Sequence, residues 1–393
     1  ATGPAVGTTM KLHEFVVRRL LLLIPVMIGV AVFTFAVAQI IPGDPAALQC
    51  GDKCGLIVGY TEEGDPITAH QANRERLRLD DPVSLQFERY ITDLVNGDWG
   101  ESQKNGRPVL DIIKTSAPVT LEMAFFSLMI AYPLGIFLGI ISAVRQDRMF
   151  DHVSRFFAIA FVSLPIFWFA MLLQLYFATG PEVGGICDPI FGTEGGCFPI
   201  FDRHDQSYTY PVDGYHWFYP ESGTGFHLLD SWFVTDSKLQ ELPSEYDTNR
   251  ELFMDTLTHL VLPCAALGIA SSGSLLRYMR ASLLEVLHED YVRTARAKGL
   301  SEFRVVVVHA CRNAMVPIVT ILGFSIGGAI GGAVLTESVF GIHGMGTVAV
   351  LGILQLEYQI VMGVTLLTSV IFLLSNLIVD IAYAIVDPRV RLE

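Results

Sequence analysis

The chain is 393 residues long, 51 % of them hydrophobic, with a mean hydropathy of +0.46 and a formal net charge of −14. That composition exceeds the apolar content of an ordinary soluble domain. An acidic balance of this size argues against nucleic acid as a partner. The apolar residues come in six runs of about 20, each long enough to cross a bilayer, so lipid contact and an all-α integral membrane fold are expected.

Residues 1–9 are small and featureless, which suits an expression remnant or a frayed terminus. Lys11, Arg18 and Arg19 then precede the first apolar run, making 1–19 a cytoplasmic N-terminal segment and 20–41 the first span. Ala36-Val37-Ala38 has the residue types of a signal-peptidase site, but the apolar run continues through Ile41, so the span is expected to stay. Residues 42–118 are polar and form an external subdomain. It opens on the exit turn Ile41-Pro42-Gly43-Asp44-Pro45, carries a helical pattern over 71–94, and turns at Asn96-Gly97 and Asn105-Gly106. The second span is 119–144, and a basic turn with Arg145, Arg148 and Arg155 leads to the third, 156–179. Residues 180–255 form an acidic, aromatic, Gly-rich external insertion without clean periodicity.

The fourth span, 257–276, ends at Arg277 and Arg280, and residues 277–315 follow as a basic cytoplasmic loop. In the fifth span, 316–335, Gly323, Gly327, Gly328, Gly331 and Gly332 include small residues four apart, a pattern that lets helices pack closely in lipid. Residues 336–359 read as an external re-entrant segment, 360–386 as the sixth span and 387–393 as a cytoplasmic tail. Of the 26 Lys and Arg, fifteen fall in the short segments placed in the cytoplasm, and eleven are spread over the long external ones. That bias places both termini inside a cell membrane, plasma or inner.

The most informative stretch is the basic loop. Residues 285–298 are good helix formers, Gly299 supplies a stop, and a second short helix leads to Pro317, read as lying near the start of its span. Asp290-Tyr291-Val292-Arg293-Thr294-Ala295-Arg296-Ala297-Lys298-Gly299-Leu300 resembles the cytoplasmic coupling loop of ABC-importer permeases, in the version of the dipeptide and oligopeptide (B-type) permeases. Arg293 and Thr294 stand where many permeases have Glu-Ala, and His309-Ala310-Cys311-Arg312 replaces the usual Ile-x-Leu-Pro. Pro42-Gly43-Asp44-Pro45, Asn96-Gly97-Asp98-Trp99-Gly100, Gly106-Arg107-Pro108-Val109-Leu110 and Asp387-Pro388-Arg389 are also similar to that family, whereas the insertion at 180–255 is not.

The resemblance implies a type I ABC importer permease (MetI-like) fold of six transmembrane helices with external loop subdomains. It implies a peptide importer, although similar permeases carry nickel, glutathione or oligosaccharides. It also implies partners: a second homologous permease subunit, two ABC ATPase subunits and an extracytoplasmic solute-binding protein. The loop 285–312 would dock in the ATPase, with Asp290, Tyr291, Arg293, Thr294, Ala295, Arg296, Ala297 and Gly299 at the contact. The small residues Ala295, Ala297 and Gly299 would allow close approach, and the arginines would pair with carboxylates.

The chain itself shows no HExxH, no CxxC pair and no GxSxG, so no catalytic, cofactor or metal residues are assigned, and ATP with Mg would sit on the ATPase partners. Glu122 and Asp380 are acids flanked by apolar residues near span ends, where a helix-terminus partner explains them. His259 and His309 read as helix-end residues. Cys50, Cys54, Cys187 and Cys197 fall in external loops and allow three pairings or free thiols. Local pairs, Cys50 with Cys54 and Cys187 with Cys197, need the least rearrangement. A stand-alone secondary transporter or channel is the rival reading, and it calls for ionisable residues deep in the spans, which are few.

Overall fold

A computed structural model describes residues 12–40, 44–60, 65–104, 106–181, 185–186, 197–200, 210–212, 215–217, 224–233 and 248–386. In chain order its helices are α1 (Leu12–Ile40), α2 (Pro45–Cys50), α3 (Ala69–Leu77), α4 (Val83–Val95), α5 (Val109–Val144), α6 (Met149–Ser163), α7 (Ile166–Phe177), α8 (His227–Phe233), α9 (Asn249–Leu287), α10 (Asp290–Ala297), α11 (Glu302–Arg304), α12 (Cys311–Phe340), α13 (Met345–Leu354) and α14 (Tyr358–Val386). A π-helical turn, Val305–Ala310, joins α11 to α12. The described residues also include a 3-10 turn, Gly51–Lys53, and two antiparallel hairpins: β1 (Ile57–Tyr60) with β2 (Pro66–Thr68), and β3 (Tyr210–Val212) with β4 (Tyr215–Trp217).

Among the described residues five helical segments are long and apolar enough to cross a membrane, and α6 with α7 passes the same test only as a pair bent by 106°, the geometry of a broken span or a re-entrant loop. The third apolar run is therefore not the single straight span that 156–179 suggests. Leu164 is extended because it precedes Pro165, and Pro165 then starts α7, so the chain turns at that dipeptide. The other helices overrun the apolar runs that mark them. α5 begins ten residues before 119, and α9 extends from 249 to 287, taking in the last turns of the supposed insertion. The helical pattern over 71–94 is two helices, split at Asp80–Pro82. Pro317 is not at the start of its span: α12 begins at Cys311, so the proline lies inside the helix, two turns beyond the π-helical lead-in.

The chain divides into two compact units. The smaller comprises residues 20–117 and 347–371. Asp44 caps α2, its Oδ1 accepting from the Ala46 N–H at 3.0 Å, with Pro45 at the first helical position, where its missing N–H costs least. Cys50 and Cys54 are joined by a disulfide. Thr68 and Gln71 form a reciprocal capping box at the start of α3, and Arg78, with φ +50°, ends it. Phe35 of α1 packs on Phe87 and Tyr90 of α4, with ring centroids 5.3 and 5.7 Å away.

The larger unit comprises residues 118–346 together with both ends of the chain, 1–19 and 372–393. Close approaches give the helix directions. A Cβ on Gly135 or Gly139 of α5 would meet Leu275 or Met279 of α9 within 2.7 Å, so these two helices run parallel. Asp151 of α6 meets Arg280, and Ala158 meets Gly273, so α6 runs antiparallel to α9. Gly323 and Gly327 of α12 lie against Asn376 and Phe372, so the last part of α14 runs antiparallel to α12. Arg19 reaches Asp380 at 3.1 Å, which sets the start of α1 beside the end of α14. Gly323 and Gly327 of the fifth span thus serve packing within the chain, whereas Gly328 and Gly331 meet nothing within 4 Å.

Candidate functional site

The loop between α9 and α12 is a built structure with its own small core. α9 ends with His288 as its C-cap, so residues 285–287 belong to that long helix and not to the loop helix. α10 starts at Asp290 after an extended Glu289. Eight residues make two turns, and Val292 and Ala295, three apart, fall on one face. Both are buried, packed with Leu283 of α9, Val305 and Val306 of the π turn, and Ala310 and Cys311 leading into α12.

This placement corrects the expectation that Ala295 lies open for close approach by a partner. Its small side chain is required by the loop's own packing. The remaining candidates divide accordingly. Asp290, Tyr291, Arg293, Thr294, Arg296 and Ala297 are exposed and form the outward face, and Gly299 lies exposed in the following turn.

That outward face is held from several sides. The Tyr291 hydroxyl accepts a 2.7 Å hydrogen bond from Asn313 Nδ2 of α12. Arg296 forms a two-pronged pair with Glu302, Nε to Oε2 at 3.1 Å and Nη2 to Oε1 at 2.7 Å. This pair pushes the guanidinium pKa up. Among the described residues Arg293 reaches only Asp290, at 3.4 Å, with two-thirds of its side chain exposed. Gly299 has φ +79°, a conformation that L side chains rarely adopt, and its N–H bonds back to the Arg296 carbonyl at 2.9 Å.

Beneath the loop, Asp151 is fully buried yet completely partnered. Arg280 donates Nε to its Oδ1 at 2.7 Å and Nη2 to its Oδ2 at 2.8 Å, Ser142 donates at 2.5 Å, and the Asp147 N–H at 3.0 Å. This network ties the α5–α6 turn to α9 two turns before the loop. Nothing in the local sequence marks the Glu302 and Asn313 contacts, because each spans a turn of the chain. Asp151 and Arg280 are 129 residues apart and equally silent.

The other sequence candidates resolve as structural residues. Glu122 accepts the Leu228 N–H at 2.8 Å, at the start of α8. The His259 ring bonds to the Asp255 carbonyl at 2.9 Å. Glu337, which the sequence did not single out, is fully buried and accepts from Thr120 Oγ1 at 2.6 Å; that same oxygen accepts from the Met345 N–H. No cluster of three His, Cys, Asp or Glu able to hold a metal occurs among the described residues. Cys197 is disulfide-bonded, while Cys187 lies outside the described residues.

Comparison with known proteins places these features. Residues 135–392 match the family described as binding-protein-dependent transport system inner membrane component, and residues 12–124 match the N-terminal region of the membrane components of such systems. The chain is 38 % identical over 369 residues, 94 % of each chain, to the probable D,D-dipeptide transport system permease protein DdpB of Escherichia coli K12. It is 34 % identical over 382 residues, 96 % of this chain and 98 % of the other, to the dipeptide permease DppB of the same organism. To the di/tripeptide permease DppB of Pseudomonas aeruginosa it is 35 % identical over 378 residues, 96 % and 98 % of the two chains.

Proposed function

We propose that this multi-pass membrane chain, which belongs to the inner membrane components of binding-protein-dependent transport systems, is one of two permease subunits of an ATP-driven importer of short peptides. Its relatives are named as dipeptide and di/tripeptide permeases, which supports the substrate class. A solute-binding protein delivers the peptide on the outside, and two ATPase subunits bind and hydrolyse ATP with Mg on the inside. The chain contributes half of the pathway and no catalytic residue.

The observation that carries the coupling role is the way α10 is mounted. Its inward face is locked by Val292 and Ala295 onto α9 and the π turn, and the π turn runs directly into α12. A push on the outward face, at Tyr291, Arg293, Thr294 and Ala297, therefore moves two spans and not a slack connector. Arg293 offers a guanidinium for a partner carboxylate. With the loop inside, both termini are inside too, because the start of α1 and the end of α14 lie at the same end of the larger unit as the start of α12.

Labelling tests the orientation and co-purification tests the coupling. Cys264 and Cys311 are buried, so a Thr294→Cys variant carries the one reactive thiol at the loop. A membrane-impermeant maleimide should label it in inside-out vesicles and not in intact cells. Arg293→Glu should cut the amount of ATPase subunit that co-purifies with the tagged chain. Labelling from outside, or full ATPase retention in Arg293→Glu, would overturn the reading.

A further inference from the structure

The smaller unit carries an open cavity of about 800 Å³, within the range of small-molecule sites. Its floor is apolar, made by Phe35 near the end of α1 and Leu366 in α14, and its rim comes from the turns that bound α3 and α4. Most of the charges that line it are spent. Arg74 pairs with Asp44 and Asp80, Arg89 with Asp81, and Asp98 accepts the Gly100 N–H. Two are not spent: among the described residues neither the Arg78 guanidinium nor the Asp93 carboxylate has a side-chain partner, and both line the cavity.

Three further observations point to a ligand. Arg78 sits at φ +50°, a left-handed conformation that costs a non-glycine residue free energy and gathers at functional sites. Tyr358 lines the cavity with 7 % of its surface exposed, and its hydroxyl has no hydrogen-bond partner. Gln103 Oε1, also in the lining, is buried and unpartnered as well. Buried polar atoms left without partners are uncommon and costly, and a ligand or its hydration water relieves the cost.

A free guanidinium, a free carboxylate, an unsatisfied hydroxyl and amide, and an apolar floor suit one class of molecule. We propose that this cavity is a receiving site for a zwitterionic short peptide, with Arg78 taking the α-carboxylate, Asp93 the α-ammonium and the Phe35–Leu366 floor an apolar side chain. An inorganic anion or a lipid phosphate would leave Asp93 unanswered and repelled. The proposal rests on the peptide reading above and deepens it, since it gives the permease its own recognition of the free termini.

The test uses the permease in complex with its ATPase subunits, without the solute-binding protein. Radiolabelled alanyl-phenylalanine, its N-acetyl form and its C-terminal amide are the probes. The free dipeptide should bind, and Arg78→Gln and Asp93→Asn should each weaken it about tenfold, the loss of one ionic contact. Arg78→Gln should leave binding of the amide unchanged, and Asp93→Asn should leave binding of the N-acetyl form unchanged. No binding to the wild type, undiminished wild-type affinity in both variants, or competition by inorganic phosphate would each overturn the site. Peptide-stimulated ATP hydrolysis in the full system separates the two readings: if it persists while the cavity variants bind normally, only the cavity proposal fails. If no peptide stimulates hydrolysis, the peptide reading itself fails.

Discussion

Ser102 donates a 2.5 Å hydrogen bond to Glu357, and the two residues are both buried although 255 positions separate them. The contact is one of three in antiparallel order. Gly100 lies against Gln359, a Cβ there falling 2.9 Å from the amide carbon, and Lys104 reaches Gln355 at 3.4 Å. The loop before α5 thus runs as a strap along the turn between α13 and α14. That turn contains Leu356 at φ +59°, a strained conformation for a branched side chain.

Ser102→Ala should loosen the strap. Removing the hydroxyl leaves a buried carboxylate short of a donor, which costs about 1–3 kcal/mol. The purified complex should melt at a lower temperature, and limited proteolysis should cut the 98–108 loop faster than in the wild type. Unchanged melting and cleavage would show that the contact contributes nothing to stability.

The glycines of α12 give a second test, because they divide so sharply. A Cβ on Gly327 would fall 2.3 Å from the Phe372 ring, whereas one on Gly331 meets nothing within 4 Å. Gly327→Ala should therefore lower thermal stability by about 1–3 kcal/mol, the usual range for overpacking. Gly331→Ala should leave the isolated chain's melting unchanged. Equal melting temperatures for the two variants would mean that the α12–α14 contact yields freely.

These cases show what was legible in the sequence. The apolar runs located the long apolar helices, though not their ends, because a crossing of lipid demands about 20 apolar residues in a row, whatever the neighbours do. The spacing of Gly323 and Gly327 marked a packing face, but not which of the five glycines would serve it. The break at Leu164–Pro165 was hidden because the apolar run continues straight through it. The comparisons show the family, and the loop between α9 and α12 was legible as a family motif. The burial of Ala295 was not, since a two-turn helix with Val292 as its one large inward residue carries too short a period to show its inner face. The Ser102–Glu357 and Asp151–Arg280 pairs are long-range, and no local pattern announces them.

Acid should act on the smaller unit through Asp44. Burial alone would push its carboxyl pKa up, but hydrogen bonds from His70, the Ala46 N–H and Arg74 outweigh that and hold it below the usual aspartate value. A depressed folded pKa means stability that is present above the unfolded value and lost as pH falls through the folded one. Protease resistance of the α2–α3 region should therefore hold at neutral pH and fall below about pH 4. Asp44→Asn should already be weakened at neutral pH, and the step below pH 4 should shrink. An acid step of wild-type size in Asp44→Asn would assign it to another group.

Gly299 offers a backbone test free of steric complication. Its φ of +79° disfavours a Cβ, but the space around it is open. Gly299→Val should therefore impair ATPase coupling through strain, since a β-branched residue suits that conformation least. Gly299→Asn should retain most activity, since asparagine tolerates the left-handed region. Equal loss in both would point to a steric role, such as a partner seated directly on the turn.

Two alanines two residues apart in α10 should fail for different reasons. Ala295 is buried in the apolar cluster that holds Val305, Ala310 and Leu283, so Ala295→Glu places an unpaired charge inside the loop core, at a cost of several kcal/mol. The loop should open, and protease should cut near α10 in the permease whether or not the ATPase is present. Ala297 is exposed, so Ala297→Glu leaves that core intact and changes only the outward face. It should resist protease as the wild type does, yet lose ATPase subunit on purification and lose substrate-stimulated hydrolysis. The two readouts together separate folding of the loop from docking on it. Normal ATPase retention in Ala297→Glu would place the docking surface elsewhere on the chain, and wild-type protease resistance in Ala295→Glu would contradict the burial of Ala295.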